Sequence, residues 1–417
     1  MLLIYFFVGI LILVLAETIG LWFLNNRMVI PPERLDAANW VYQFSIFSFM
    51  MTMFTVPYNA MIIARERMSV YAYMSIVEVL MKLLIVYLLL VFSFDKLKLY
   101  SVLMFMVTTF VTLLYRNYCQ RNFRECKLKF YWDRGLFKEI ATYSGWNLFG
   151  ALANIFNNHG TNIVLNIFFG PVINTSRAIA YRINSSVNQF VSNFMTATRP
   201  QITKYYANGE RNKMLSLVFS SCKLSYFLLL IISMPILLET KFILFIWLKE
   251  LPPYVVEFTR LIVVGALVDS ISYPLMSAAQ ATGKIKKYQM IVGGLMLLNL
   301  PLSYIFLSIG YEAISVFYIA IVNSIFCLFA RLIMLRIILL LSIRKFVEKV
   351  IFPLISVSTV AYIMPFILLN YLDYSFSRFI IIGLVAVVCS SMSIFFLGLQ
   401  KNERIYIVQL IKRKNNV

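Results

Sequence analysis

The stretch MSIVEVLMKLLIVYLLLVFSF, residues 74–94, contains one acid and one base in an otherwise almost wholly apolar run. A run of about 20 such residues is what a helix needs to cross the hydrocarbon core of a bilayer. Comparable runs recur from end to end, near 2–24, 39–63, 69–93, 99–117, 141–168, 172–198, 214–238, 258–281, 288–309, 314–335, 350–369 and 378–398. This recurrence predicts an all-α polytopic membrane protein with about twelve transmembrane helices. Composition agrees, since only 13% of residues are charged, against about a quarter in soluble domains.

The net charge of +20 would suggest nucleic acid in a soluble chain. Here its distribution reads as topology. With Met1 placed in the cytoplasm, alternate loops gather most of the 38 basic residues, including Arg65, Arg67, the series from Arg116 to Lys138, Lys284, Lys286, Lys287 and the tail from Lys401 to Lys414. Positively charged loops stay inside, which predicts a multi-pass protein with both termini cytoplasmic. No nucleic-acid partner is implied. Residues 1–24 lack the basic n-region of a signal peptide and are too long for its apolar core, so they read as a first span.

Chemistry finds little foothold. No P-loop, HExxH or GxSxG pattern is present, and no loop is long enough to hold a soluble domain. The cysteines do not pair by spacing, so neither disulfides nor a metal site is expected. The expectation is a non-enzyme without cofactor.

Ordered anchors suggest an internal repeat. Glu17-Thr18 matches Glu239-Thr240, and Pro31-Pro32 matches Pro252-Pro253. Pro57, Ala64, Arg67 and Tyr71 then meet Pro274, Ala281, Lys284 and Tyr288. Both copies run in the same direction, a parallel repeat of the kind found in transporters. By this alignment the second copy starts near residue 139, which leaves the first copy short of two helices. The domains expected are 1–118, the remainder of an N-terminal lobe; 119–138, a basic cytoplasmic loop; 139–340, a C-terminal lobe; and 341–417, two extra helices with a basic tail.

One span carries too many amides for lipid. Asn154, Asn158, Asn162 and Asn166 step by four along one helix face, with Asn147 continuing the stripe and Asn157 and His159 nearby. The next span carries Arg177, Arg182, Asn184, Asn188 and Gln189. Amides can simply bond between packed helices. An arginine near the bilayer centre is costly, however, so both spans are read as bordering a hydrated cavity. The candidate cavity residues are Arg177, Arg182, Asn154, Asn158, Asn162, Asn184, Asn188 and Gln189. Guanidinium forks and amides together suit an anionic, sugar-bearing cargo. Candidates for ion coupling are Asp269, Glu78 and His159. Glu78 also reads as a local pair with Lys82, and Asp269 as a counter-charge to Arg260 or a cavity arginine. Lys223 is placed near an inner helix end, where it can snorkel.

AETIGLWFLNN, IPPERLDAANWVYQFSIFSFM, VPYNAMIIARERMSVYAYMSI, YSGWNLFGA and FGPVINTSRAIAYRINSSVNQFVSNFMTATRPQITKYYANGE together resemble the Wzx-like polysaccharide and O-antigen flippases of the multidrug/oligosaccharidyl-lipid/polysaccharide (MOP) exporter superfamily. That resemblance implies a MATE-like, two-lobed transporter with fourteen helices, of which the first two are missing here. It further implies flipping of undecaprenyl-pyrophosphate-linked sugar repeats across a bacterial inner membrane. The implied partners are that lipid-linked oligosaccharide, the bilayer, a polysaccharide polymerase and glycosyltransferases. Two other readings stay open: a cation-coupled multidrug exporter of the same superfamily, which would want acidic rather than arginine-rich cavity walls, and a polytopic polymerase or ligase.

Overall fold

The computed structural model describes residues 2–26, 32–92, 94–126, 133–400 and 403–404. Lys127, Lys129, Pro31, Met1 and the tail residues Lys401, Lys412, Arg413 and Lys414, invoked above for topology and repeat, lie outside them. The described residues form helices, twelve in chain order, and no strands. Eleven of them are long and apolar enough to span a membrane, which makes this a multi-pass membrane protein.

The chain divides between residues 131 and 132 into two compact units. The first holds α1 (Leu2–Leu15, continued through Ala16–Gly20 and Leu21–Asn26), α2 (Leu35–Ala64), α3 (Met68–Val91) and α4 (Lys96–Asn122). Helix α4 starts where Asp95 accepts from the backbone N–H groups of Leu97 and Lys98, at 3.0 and 3.2 Å. Those are donors that a helix start leaves unpaired. Helix α2 packs along α4, and Tyr58, Ile62, Val107, Val111, Tyr115 and Cys119 form the buried seam.

The second unit begins with α5 (Arg134–Ala207), capped by Asp133 through Gly135 and Leu136. A straight helix of its 74 residues would be about 110 Å long, several times the bilayer core. It folds at Gly170, whose φ of 75° and ψ of −172° are open only to glycine, and Pro171 follows without an N–H to donate. The two legs are the two polar spans read from the sequence. Then come α6 (Arg211–Leu238), α7 (Thr240–Leu248), α8 (Val255–Ala281), α9 (Lys286–Ser308) and α10 (Ser315–Leu339). Helix α5 packs on α6, α8 and α9, and α8 also packs on α6 and α10. Two of the proposed anchor pairs fall at comparable places, whereas Glu17-Thr18 lies inside α1 and Glu239-Thr240 at the junction of α6 and α7. Pro57 lies inside α2, which ends at Ala64, and Pro274 lies inside α8, which ends at Ala281.

Two further helices, α11 (Ile343–Tyr371) and α12 (Phe376–Gly398), each contain a π turn and pack on α6. Two ion pairs tie α12 and the chain after it there. Glu239, 2% exposed, accepts both Nε and Nη2 of Arg378 at 2.9 and 3.0 Å. Lys223, also 2% exposed, donates to Glu403 at 2.9 Å and to the Gly398 carbonyl at 3.3 Å. Lys223 therefore does not snorkel. The chain after α12 returns to cover it and supplies the counter-charge.

Candidate functional site

The kink at Gly170 sets the two legs of α5 side by side, and their facing sides open with α8, α9 and α10 onto a cavity of about 490 Å³ within the second unit. Each leg presents a short amide ladder. Asn158 Nδ2 donates to Asn154 Oδ1 at 2.8 Å on the first, and Asn188 Nδ2 donates to Asn184 Oδ1 at 2.8 Å on the second. The fourfold spacing that made the stripe visible in the sequence is what brings these side chains into contact. All four line the cavity.

Other amides hold the walls together. Asn147 Oδ1 accepts from Gln280 of α8 at 3.2 Å and from Gln289 of α9 at 3.3 Å. Asn299 of α9 donates to Asn157 Oδ1 at 2.7 Å, and Asn323 of α10 donates to the Leu295 carbonyl at 3.0 Å. In lipid, where apolar burial does not drive helices together, such bonds and close packing carry the association. The amide stripe thus divides its labour between the lumen and the helix contacts. Asn188 Oδ1 and Asn299 Oδ1 are buried without a protein donor, and both residues line the cavity.

Two side chains of opposite charge lie in this lining among the described residues, Asp269 and Arg331. Asp269, at mid-α8, accepts from Ser324 Oγ at 2.8 Å. Arg331, 7% exposed, donates to Tyr288 Oη at 3.2 Å and Ser272 Oγ at 3.1 Å. The two charges are near enough to act on each other, yet no ion pair joins them among the described residues. Arg260, offered as a partner for Asp269, instead donates to Thr240.

The remaining candidates sit elsewhere. Arg177 is buried at 8% exposure and does not line the cavity. It clasps the two legs of α5, donating to the Asn158 carbonyl at 3.0 Å and to Asn162 Oδ1 at 3.4 Å, with its guanidinium 4.2 Å from the Tyr181 ring centre. Arg182 is exposed on the opposite side of its helix, on a polar face shared with Gln189, which donates to Asn193 at 3.0 Å. That face is uncovered within its own unit. His159 is exposed and outside the lining. Glu78 pairs with Lys82 at 2.6 Å on α3 of the first unit.

Sequence reading missed Arg331, Asn299, Asn323, Gln280 and Gln289. The signal that exposed α5, amides inside an apolar run, is present in α9 and α10 as well, but singly rather than as a stripe. Arg331, five residues before Arg336, reads from sequence as one more basic residue of a cytoplasmic helix end.

A family model described as MatE matches residues 151–305. A solved structure titled as MATE in complex with MaL6 superposes with a TM-score of 0.68 at 13% identity, covering 81% of this chain and 77% of that one. A second, titled as the outward-facing conformation of a multidrug resistance MATE family transporter of the MOP superfamily, gives 0.67 at 13% identity, covering 81% and 76%. No curated protein matches the chain. The fold is therefore that of MATE transporters. The Wzx-like flippase resemblance, with the undecaprenyl-linked cargo drawn from it, is corrected by these similarities, which run to the MATE branch. Arg177 and Arg182, whose charge suggested an anionic cargo, do not line this cavity, and Arg331 does.

Proposed function

We propose that this chain is a cation-coupled exporter, in which a proton or sodium ion taken up in the cavity of the second unit drives the outward movement of organic cargo. The observation that carries this reading is Asp269. An ionisable carboxyl group halfway along a spanning helix is costly, and such groups mark ion pathways and proton relays. Here it opens on a polar cavity, keeps one hydrogen bond from Ser324, and faces Arg331 without being locked to it. Taking up a cation changes the charge of this pair, and the positive guanidinium resists that change by an amount that depends on its distance. Cation uptake and the arrangement of α8 and α10 are thus coupled.

Similarity to transporters titled as MATE and multidrug resistance proteins supports the same reading, as does the overlap of the MatE match with both legs of α5, α8 and most of α9. The distribution of lysine and arginine supports a cytoplasmic membrane location with both termini inside.

The test is export of ethidium from cells expressing the full chain, with membrane abundance measured in parallel. Export is expected to stop when ionophores collapse the proton and sodium gradients. Asp269→Asn is expected to lose at least tenfold in rate at unchanged abundance. Export that ignores both ionophores and this substitution rejects the reading.

A further inference from the structure

In the first unit, the turn between α2 and α3 meets the end of α4 around a cavity of about 460 Å³ lined by Arg65, Arg67, Asn122, Phe123, Arg124 and Glu125. Three guanidinium groups converge there with one carboxylate, and that carboxylate is already committed. Glu125 pairs with Arg65, whose guanidinium also lies over the Phe123 ring at 5.9 Å. Arg67 and Arg124 are exposed and have no polar partner among the described residues. The backbone helps to hold them in place. Glu66 sits at a φ of 58°, turning the chain sharply between the helices, while α4 stops at Phe123 and tightens into the turn Arg124–Cys126.

The position of this cavity matters as much as its charge. It lies at the shared end of three membrane-spanning helices, α2, α3 and α4, the end that the basic loops place in the cytoplasm. Helix α3 also begins here, at Met68, and no side chain caps it. Its positive end adds to the field of the arginines. Beginning about 9 Å along the helix axis from Arg67, an exposed apolar stripe runs along α3 through Tyr73, Ile76, Leu80, Leu83 and Tyr87, spaced by three and four residues.

We propose that this cavity binds the phosphate of an anionic membrane lipid, whose acyl chains lie along the exposed stripe of α3. Guanidinium groups match phosphate oxygens in a fork, and basic pockets at the cytoplasmic ends of spanning helices take anionic headgroups. The stripe selects a lipid over a free anion. A soluble phosphate would gain nothing from an apolar track along the same helix, whereas a lipid with its headgroup in the cavity and its chains along α3 occupies both.

The test is native mass spectrometry of the purified full chain titrated with phosphatidylglycerol. The double variant Arg67→Gln with Arg124→Gln is expected to bind about thirty-fold more weakly, equivalent to about 2 kcal/mol for two charges. Arg116→Gln with Arg121→Gln removes two exposed charges from the same helix outside the cavity, and is expected to bind as the parent does. Phosphatidylcholine is expected not to compete, and inorganic phosphate only weakly. Equal losses in the two double variants would reduce the effect to general surface charge and overturn the site. Full displacement by inorganic phosphate would overturn the lipid assignment.

Discussion

Arg177 and Arg182 are five residues apart, carry the same charge, and meet different surroundings. Arg177 gives its fork to a carbonyl and an amide of the opposing leg and its flat face to Tyr181. Arg182 gives its guanidinium to none of the described partners and is exposed. Substitution should separate them. Arg177→Lys keeps the charge and loses the fork and the stacking, so it should cost about 1.5–3 kcal/mol, the range for hydrogen bonds to charged groups. Arg182→Gln should stay within about 0.5 kcal/mol of the parent. Thermal unfolding of the purified variants in detergent measures both, and equal shifts would contradict the assignment. This pair also shows why the site was only partly readable. Helical periodicity puts two residues five apart on different faces. It could not say which face met a neighbour, because that depends on how Gly170 folds one leg of α5 onto the other.

At the scale of helices, the fold was far more open to reading than the site. Spans of about 20 apolar residues have no other way to satisfy their backbone in lipid, so the order of the spans followed directly from the runs, two of which are the legs of α5. What escaped was the return of the chain after α12. A short polar segment has no periodicity to declare where it docks, and Glu403 gave no sign that it would meet Lys223. Burial alone would raise the Glu403 carboxyl, but the Gln400 N–H, the Lys223 ammonium and the Ser220 hydroxyl outweigh it and hold it below the usual glutamate value. A carboxyl group lowered in the folded state stabilises that state above its unfolded pKa, and the effect fades as pH falls through the folded one. The unfolding temperature should therefore fall as the solution is acidified below the ordinary glutamate range, about 4.3. Glu403→Gln should have a lower unfolding temperature at neutral pH and a flatter acid limb. An acid limb unchanged by this substitution would show that the clasp of Lys223 contributes nothing.

Across the whole molecule two facts meet: most of the chain has the fold of MATE transporters, and the second unit places one acid with one arginine in a polar cavity. The reading built on them stands or falls on whether cations pass through that cavity. The direct measurement is cation flux into proteoliposomes holding the full chain, followed with pH-sensitive and sodium-sensitive dyes while cargo is supplied on the opposite side. The parent is expected to move protons or sodium only when cargo moves the other way. Asp269→Asn is expected to abolish that flux, and adding Arg331→Gln should then change little, since two groups that act as a unit are not additive. Cargo-driven flux that persists at the parent rate in Asp269→Asn would contradict the account.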